Sequence, residues 1–112
     1  MPKQCLITGP GELELREYPE PEPAGHQVKV RIEHAAAKHG TEMALYKGYA
    51  AERGDWDGEY QLCRKPARGD PFPFGAGNMA VGVVEAVGPE VTELKEGDRV
   101  FHFSDFREVA LW

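Results

Sequence analysis

Apolar and polar residues alternate along several stretches of the chain, which is the pattern of a strand with one buried face. In the clearest stretch, Val28, Val30 and Ile32 point to one face and charged residues point to the other. The segment 12–17 alternates in the same way and predicts a second half-buried strand. The full set of predicted strands is 3–8, 12–17, 28–33, 80–87, 99–103 and 106–112.

A short helix is predicted after the third strand, over residues 41–47. Thr41 can cap its first turn, and Gly48 can end it in a left-handed conformation.

From residue 49 to residue 74 no hydrophobic period persists, which predicts a long irregular loop. Loops of this length in a compact domain are usually functional or disordered, and the aromatic residues here argue against disorder.

The composition favours a mainly β domain. The 112 residues suffice for one domain with its own core, and 13 glycines with nine prolines favour short strands and turns over a helix bundle. Gly82 and Gly88 lie within and just after a predicted strand, where glycine indicates bulges or tight bends. We therefore expect a partly open antiparallel β-barrel with one or two short helices.

Charge and cysteine content exclude several classes of function. The net charge of −6, without a long basic cluster, is unsuited to nucleic acid. No apolar run is long enough for a signal peptide or a membrane span, so a cytoplasmic protein that does not act at a membrane is expected. Cys5 and Cys63 are far apart and predict neither a disulfide framework nor a zinc knuckle.

One motif in the last third resembles the medium-chain dehydrogenase/reductase family. The motif is Gly82-x-Val84-x-x-Val87-Gly88-x-x-Val91-x-x-Leu94-x-x-Gly97-Asp98-Arg99-Val100. Other pieces follow in the family's order: the strand 28–33, the helix start Gly40-Thr41-Glu42 and the segment 106–109. The resemblance covers nearly the whole chain. It implies the family's N-terminal catalytic domain, whose barrel is similar to that of the GroES co-chaperonin.

The resemblance also implies a nicotinamide cofactor bound mainly outside this chain. In full-length members a Rossmann domain follows and binds NAD or NADP. No strand followed by Gly-x-Gly-x-x-Gly and a helix occurs here, and Gly75-Ala76-Gly77 is only a fragment of that motif. We expect residues 1–112 to be the GroES-like domain of a longer enzyme, with a small-molecule substrate, the missing Rossmann domain as partner, and a homo-oligomeric full-length form.

Zinc-dependent members carry a ligand cysteine ahead of the short helix and a Gly-His-Glu motif at the start of the glycine-rich strand. At the corresponding positions this sequence has His39 and then Gly77-Asn78-Met79. Amide and thioether groups are poor replacements for imidazole and carboxylate as zinc ligands. The resemblance therefore predicts a domain without metal.

The same alignment of motifs gives the candidate site residues. His39, Thr41 and Asn78 are candidate catalytic groups, and Gly40 and Thr41 are candidate cofactor contacts. His39 suits a solvated position at the mouth of the cleft, proton transfer or metal binding. Thr41 is either a relay hydroxyl or only a helix cap. Glu42 either accepts a hydrogen bond from Asn78 or favours the helix N-terminus.

Tyr46, Trp56 and Met79 are candidate walls of a substrate pocket, although aromatic residues can equally hold a loop against the barrel.

Two functions are compatible with these sequence features. One is the substrate-side domain of an oxidoreductase that passes hydride between NAD(P) and a carbonyl or alkene without zinc. The other is a free-standing GroES-like module for binding or oligomerisation. The substrate and the choice between NAD and NADP stay open.

Overall fold

A computed structural model describes residues 1–49, 55–64 and 72–112, and these residues form mainly strands. The elements are β1 (Lys3–Gly9), β2 (Glu12–Glu17), β3 (Val28–Ala36), α1 (His39–Tyr46), β4 (Asp55–Asp57), β5 (Leu62–Arg64), β6 (Phe74–Gly75), β7 (Met79–Val87), β8 (Arg99–Phe103) and β9 (Val109–Leu111). The sheets are open, so the expected mainly β, partly open fold is confirmed. Among the described helices, none has the length and apolar character that crossing a membrane requires.

A four-stranded antiparallel sheet with the order β8-β7-β3-β9 holds the core. Its longest ladder joins β3 to β7, from the pair Val28 and Val87 to the pair Ala36 and Met79. Val28, Val30 and Val84 form the buried cluster on one face, each at most 4% exposed. The alternation in residues 28–33 therefore correctly predicted which face of the strand is buried, because the strand packs against the core on one side.

The predicted irregularity at Gly82 is confirmed. The register of β3 against β7 shifts between Ile32 and His34, and Gly82 lies opposite Ile32 at this point. A Cβ atom at Gly82 would lie 2.3 Å from the carbonyl oxygen of Arg31. Glycine is required here because the two backbones approach so closely.

The two edges of this sheet approach each other through aromatic rings. His102 belongs to β8 at one edge, and Trp112 directly follows β9 at the other. Their ring centroids are 5.4 Å apart. Trp112 and Val28 also exchange two backbone hydrogen bonds, of 2.8 and 2.9 Å. The sheet is therefore strongly curled around its core, although β8 and β9 share no ladder within the described residues.

A three-stranded sheet with the order β2-β1-β6 lies beside the first. All six residues of β2 are exposed, including Leu13 at 57% and Leu15 at 72%. The prediction that residues 12–17 form a half-buried strand is correct in its bounds and wrong in its burial. Alternation creates an apolar face, but it does not provide the element that would cover that face.

The helix α1 begins earlier than predicted. His39 is its first residue, and the preceding Lys38 makes no side-chain capping bond, so the prediction that Thr41 is the N-cap is wrong. Gly48 follows the last turn with a φ of 83°, as predicted. The N–H of Gly11 donates a hydrogen bond of 2.6 Å to the carbonyl of Tyr46, which ties the end of α1 to the turn between β1 and β2.

The predicted irregular loop over residues 49–74 is wrong in part. The strands β4 and β5 pair as an antiparallel hairpin from Asp57 and Leu62 to Asp55 and Arg64, and β6 pairs with β1. Strands of two or three residues are too short to give a detectable period. Residues 50–54 and 65–71 of this prediction lie outside the described residues.

An ion-pair network holds the proline-rich segment 18–27, which connects β2 to β3, against the outer face of β3. The Lys29 ammonium, on a side chain that is 8% exposed, lies 3.1 Å from Glu20 and 3.5 Å from Glu22 and from Glu85. Arg31 lies 2.8 Å from Glu85. Burial lowers the pKa of Lys29, but the surrounding carboxylates outweigh burial and leave this pKa above its ordinary value.

Candidate functional site

The candidate site lies at the end of the four-stranded sheet where β3 ends and β7 begins. Ala36 lies opposite Met79 in one ladder, and Met79 lies opposite Phe103 in the next. His39 starts α1 just beyond Ala36, and Asn78 directly precedes Met79. Strand register therefore places His39 and Asn78 at the same end of the sheet, although they are far apart in sequence.

Backbone hydrogen bonds fix the segment that carries Asn78. The N–H of Ser104 donates to the carbonyl of Asn78 at 3.1 Å, and the N–H of Phe106 donates to the carbonyl of Ala76 at 2.6 Å. Ala76 in turn donates to Cys5 at 3.0 Å, and Cys5 donates to Phe106 at 2.7 Å. This chain of bonds joins β1, the approach to β7 and the segment after β8, so the backbone around Asn78 is held rigidly.

The candidate catalytic and cofactor-contact residues are accessible. His39, Gly40 and Thr41 form the start of α1 and are exposed, and Asn78 is half-buried. A substrate or cofactor that approaches this end of the sheet from solvent can therefore reach an imidazole, a hydroxyl and an amide. The geometry suits hydrogen bonding and proton transfer to a ligand supplied from outside the chain.

The three candidate pocket residues lie in different places. Tyr46 lines a cavity of about 270 Å³ between α1 and β1. Met79 lines a smaller cavity of about 120 Å³ at the end of the sheet, beside Phe101. Trp56 is 66% exposed on β4 and lines neither cavity. The structure does not bring Tyr46, Trp56 and Met79 together in one pocket.

Glu42 has an environment that the sequence did not reveal. It lies in the first turn of α1, and both of its carboxylate oxygens are buried without a hydrogen-bond partner in the described part of the chain. The predicted hydrogen bond from Asn78 is therefore absent, whereas the predicted position at the helix N-terminus is observed. Glu42 lines the larger cavity together with Cys5 and Phe106, which come from distant segments. No sequence motif connects these three residues.

The residues present do not fit a catalytic zinc ion. The resemblance assigns the ligand positions to His39, Asn78 and Met79, and only the first offers a good zinc donor. Within residues 1–49, 55–64 and 72–112, no three His, Cys, Asp or Glu side chains are grouped so that they could hold a metal ion.

Comparison with known proteins assigns a family to this architecture. Residues 24–109 match the alcohol dehydrogenase GroES-like domain. D-guloside 3-dehydrogenase of Escherichia coli (strain K12) is 32% identical over 115 residues, which cover 97% of this chain and 33% of that protein. Quinone oxidoreductase of Rattus norvegicus is 33% identical over 97 residues, which cover 86% of this chain and 24% of that protein.

A solved structure supports the same fold. The crystal structure of an alcohol dehydrogenase superfamily protein from Novosphingobium aromaticivorans superposes with a TM-score of 0.73 at 24% identity. The superposition covers 99% of this chain and 32% of that chain. The chain thus spans a third or less of the length of the proteins it matches, and the expected GroES-like fold is confirmed.

Proposed function

The chain belongs to the alcohol dehydrogenase GroES-like domains of the medium-chain dehydrogenase/reductase family, and from this membership we propose that it is the substrate-side catalytic domain of an NAD(P)-dependent oxidoreductase. In this proposal hydride transfer proceeds without catalytic zinc. The match over residues 24–109 carries the proposal. The grouping of His39 and Asn78 at one end of the sheet supports it, because their side chains can act on a substrate held there.

The remainder of the enzyme, in this proposal, is a Rossmann domain that holds NAD or NADP. The matched relatives are about three times longer than the aligned region, which leaves room for such a domain. The nicotinamide donates or accepts the hydride when it is bound. Gly40 and Thr41, exposed at the start of α1, are the proposed contacts of this chain with the cofactor. A cytoplasmic, homo-oligomeric enzyme completes the proposal.

Hydrogen-bond donors replace a Lewis acid in the proposed chemistry. When a carbonyl is reduced, its carbon gains a hydride and its oxygen gains a proton. The Asn78 amide and the Thr41 hydroxyl can stabilise the developing negative charge on that oxygen, and His39 can supply the proton. Groups that are fixed before the reaction stabilise such a charge best, and the hydrogen bond from the Ser104 N–H to the Asn78 carbonyl fixes the backbone that carries the amide.

The test is an assay of the protein encoded by the gene that contains this chain. NADH and NADPH oxidation is measured with a panel of carbonyl and activated-alkene substrates, for the unmodified protein, for H39Q and for H26Q. Loss of a general acid reduces kcat/KM by roughly 100-fold or more, and we expect this for H39Q with an unchanged Tm. His26 is the matched control because its side chain is 82% exposed and lies away from the site, beside Glu90.

Two further arms separate the parts of the proposal. Activity that persists after chelation supports zinc-free chemistry, whereas activity that is lost on chelation and restored by zinc contradicts it. A folded protein that oxidises neither nucleotide with any substrate contradicts the oxidoreductase and favours the binding module. The isolated residues 1–112 should show no NAD(P)H binding by calorimetry, and micromolar binding would contradict the proposed division between the two domains.

A further inference from the structure

The strand β2 lies at the edge of the three-stranded sheet and is open to solvent. All six of its residues, from Glu12 to Glu17, are exposed. It is the terminal strand of its sheet, and within the part of the chain that the structure describes its ladder partner is β1. An exposed terminal strand presents backbone N–H and C=O groups that can pair with a strand of another chain.

The position of β2 is fixed within the chain. Every residue of the strand lies opposite a residue of β1 in the ladder. Directly after the strand, the N–H of Tyr18 donates a hydrogen bond of 3.0 Å to the carbonyl of Pro2. The edge is therefore preformed, and pairing with it requires little further ordering of the strand.

The backbone hydrogen bonds of β1 show which residues of β2 face the open edge. The N–H of Cys5 donates to Phe106 at 2.7 Å, and the carbonyl of Cys5 accepts from Ala76 at 3.0 Å, so both groups point away from β2. Cys5 lies opposite Leu15. Opposite residues of an antiparallel pair exchange either two hydrogen bonds or none, so the N–H and C=O of Leu15 point to the open edge. The residues two positions before and after Leu15 follow the same alternation.

A second copy of β2 complements this edge when a two-fold axis passes through Leu15. Two identical antiparallel strands are always related by such an axis. Leu15 then exchanges two backbone hydrogen bonds with Leu15 of the second copy. Glu14 lies directly opposite Arg16 of the second copy, and the symmetry repeats this pair of opposite charges. The two side chains already lie on one face of the strand, with Arg16 Nε 2.8 Å from a carboxylate oxygen of Glu14.

The neighbouring registers place like charges opposite each other. An axis through Glu14 brings two glutamates face to face, and an axis through Arg16 brings two arginines face to face. An axis through Leu13 places Glu12 opposite Glu14 twice. Like charges directly opposite destabilise a strand pair, and charged residues on an edge commonly prevent pairing for this reason. The order Glu14-Leu15-Arg16 therefore selects the axis through Leu15.

We propose that β2 is a self-association edge, at which two copies of this chain join their three-stranded sheets into one continuous sheet across a two-fold axis through Leu15. Edge pairing extends a sheet without covering its faces, so Leu15 stays largely exposed, and backbone hydrogen bonds and two ion pairs hold the contact. Such a contact is small, so the association is weak and depends on protein concentration. It gives the proposed homo-oligomer a specific interface and does not depend on hydride transfer.

Photo-cross-linking from position 15 tests this interface in the protein encoded by the gene that contains this chain. Leu15 is replaced by p-benzoylphenylalanine, and isotopically heavy and light copies are mixed before irradiation. We expect cross-links that join position 15 of one copy to the segment 12–17 of the other, with a yield that rises with protein concentration. Replacement of Phe103 is the control, because Phe103 is also highly exposed, at 62% against 72% for Leu15, on the edge strand β8 of the other sheet.

Charge exchange tests the register of the pair. E14R places arginine opposite Arg16 of the second copy, and R16E places glutamate opposite Glu14. Each variant should reduce the yield of the cross-link from position 15 by about tenfold, because two attractive pairs become repulsive. The double variant E14R/R16E restores opposite charges across the axis and should recover the yield. E96R makes the same change of charge as E14R at an exposed glutamate outside β2 and should leave the yield unchanged.

Four outcomes would overturn the proposal. Position 15 forms no cross-link between heavy and light copies, or it joins a different segment of the second copy. Position 103 reaches the segment 12–17 with equal yield. E14R leaves the yield unchanged, or E14R/R16E does not recover it. A Tm measurement shows that each variant is folded, since exposed substitutions of this kind change stability little. None of these readouts uses activity, so this interface and the proposed oxidoreductase can fail separately.

Discussion

The core of the four-stranded sheet and the two elements α1 and β2 differ in how much they bury. The first buries Val28, Val30 and Val84 to 4% exposure or less around its core. In the second, α1 has no buried residue and β2 is exposed along its whole length. The same chain thus contains one densely packed core and two elements with little burial of their own.

This difference separates stability from the candidate chemistry. His39, Thr41 and Glu42 all belong to α1, the element with little packing of its own. Asn78 belongs to the approach to β7 and is positioned by the rigid sheet. Functional groups are commonly carried by exposed segments on a rigid scaffold, where they can be changed without loss of the fold. Variants in the two regions should therefore have very different effects on stability.

The largest effect is expected from glycine substitutions. In G82A the new Cβ would lie 2.3 Å from the Arg31 carbonyl oxygen, so two central strands must separate, which costs about 3 kcal/mol. In G40A nothing lies within 4 Å of the new Cβ, and alanine is favourable within a helix by up to about 1 kcal/mol. Urea unfolding of both variants checks this contrast, and equal stabilities would contradict it.

A smaller difference is expected from truncation of apolar side chains. V84A leaves a cavity in the core at a residue that is 1% exposed and should reduce the free energy of unfolding by about 2 kcal/mol. L15A changes a residue that is 72% exposed and should alter it by at most about 0.5 kcal/mol. Thermal unfolding measures both variants. A large loss in L15A would show that the β2 face is covered in solution.

These contrasts also show what the sequence could predict. The alternation in β3 correctly predicted a strand and its buried face, and Gly82 correctly predicted an irregularity in the sheet. Both predictions succeeded because a packed core strictly constrains which residues it accepts. The same alternation in β2 predicted the strand but not its exposure, because Leu15 stays 72% exposed in the fold. Periodicity describes a strand, whereas burial depends on the neighbours that the fold supplies.

The candidate site was predicted less completely. The resemblance assigned His39 and Asn78, and strand register places them at the same end of the sheet. The expectation that Thr41 caps α1 failed because the helix starts at His39. The cavity at Glu42 could not be predicted, since its walls come from separate segments that meet only in the folded chain.

A still smaller effect is expected from the ion-pair network on β3. Hydrogen bonds from Arg31 lower the pKa of Glu85. The ionised carboxylate therefore stabilises the fold at pH values above the ordinary glutamate pKa of about 4.3. That contribution is lost as the pH falls through the lowered pKa. The Glu85 side chain is 36% exposed, so solvent screening limits its contribution to about 1 kcal/mol or less.

The variant E85Q tests this contribution. It should be slightly less stable at pH 7 and should lose less stability between pH 5 and pH 3 than the unmodified chain, in pH-dependent urea titrations. E96Q serves as the control, because Glu96 is an exposed glutamate outside this network. An identical pH dependence in the E85Q variant and the unmodified chain would show that the pairing of Arg31 with Glu85 makes no contribution.

Native-state hydrogen exchange tests the separation of the two regions most directly. The N–H of Val84 bonds to Asp98 at 2.8 Å, and the N–H of Lys47 bonds to Met43 at 2.9 Å, so the two hydrogen bonds are similar in length and differ in their surroundings. We predict that the Val84 amide exchanges only through global unfolding. The Lys47 amide should exchange at least tenfold faster through local opening of α1. Equal protection of both amides would contradict the account, because it would show that α1 opens only when the core unfolds.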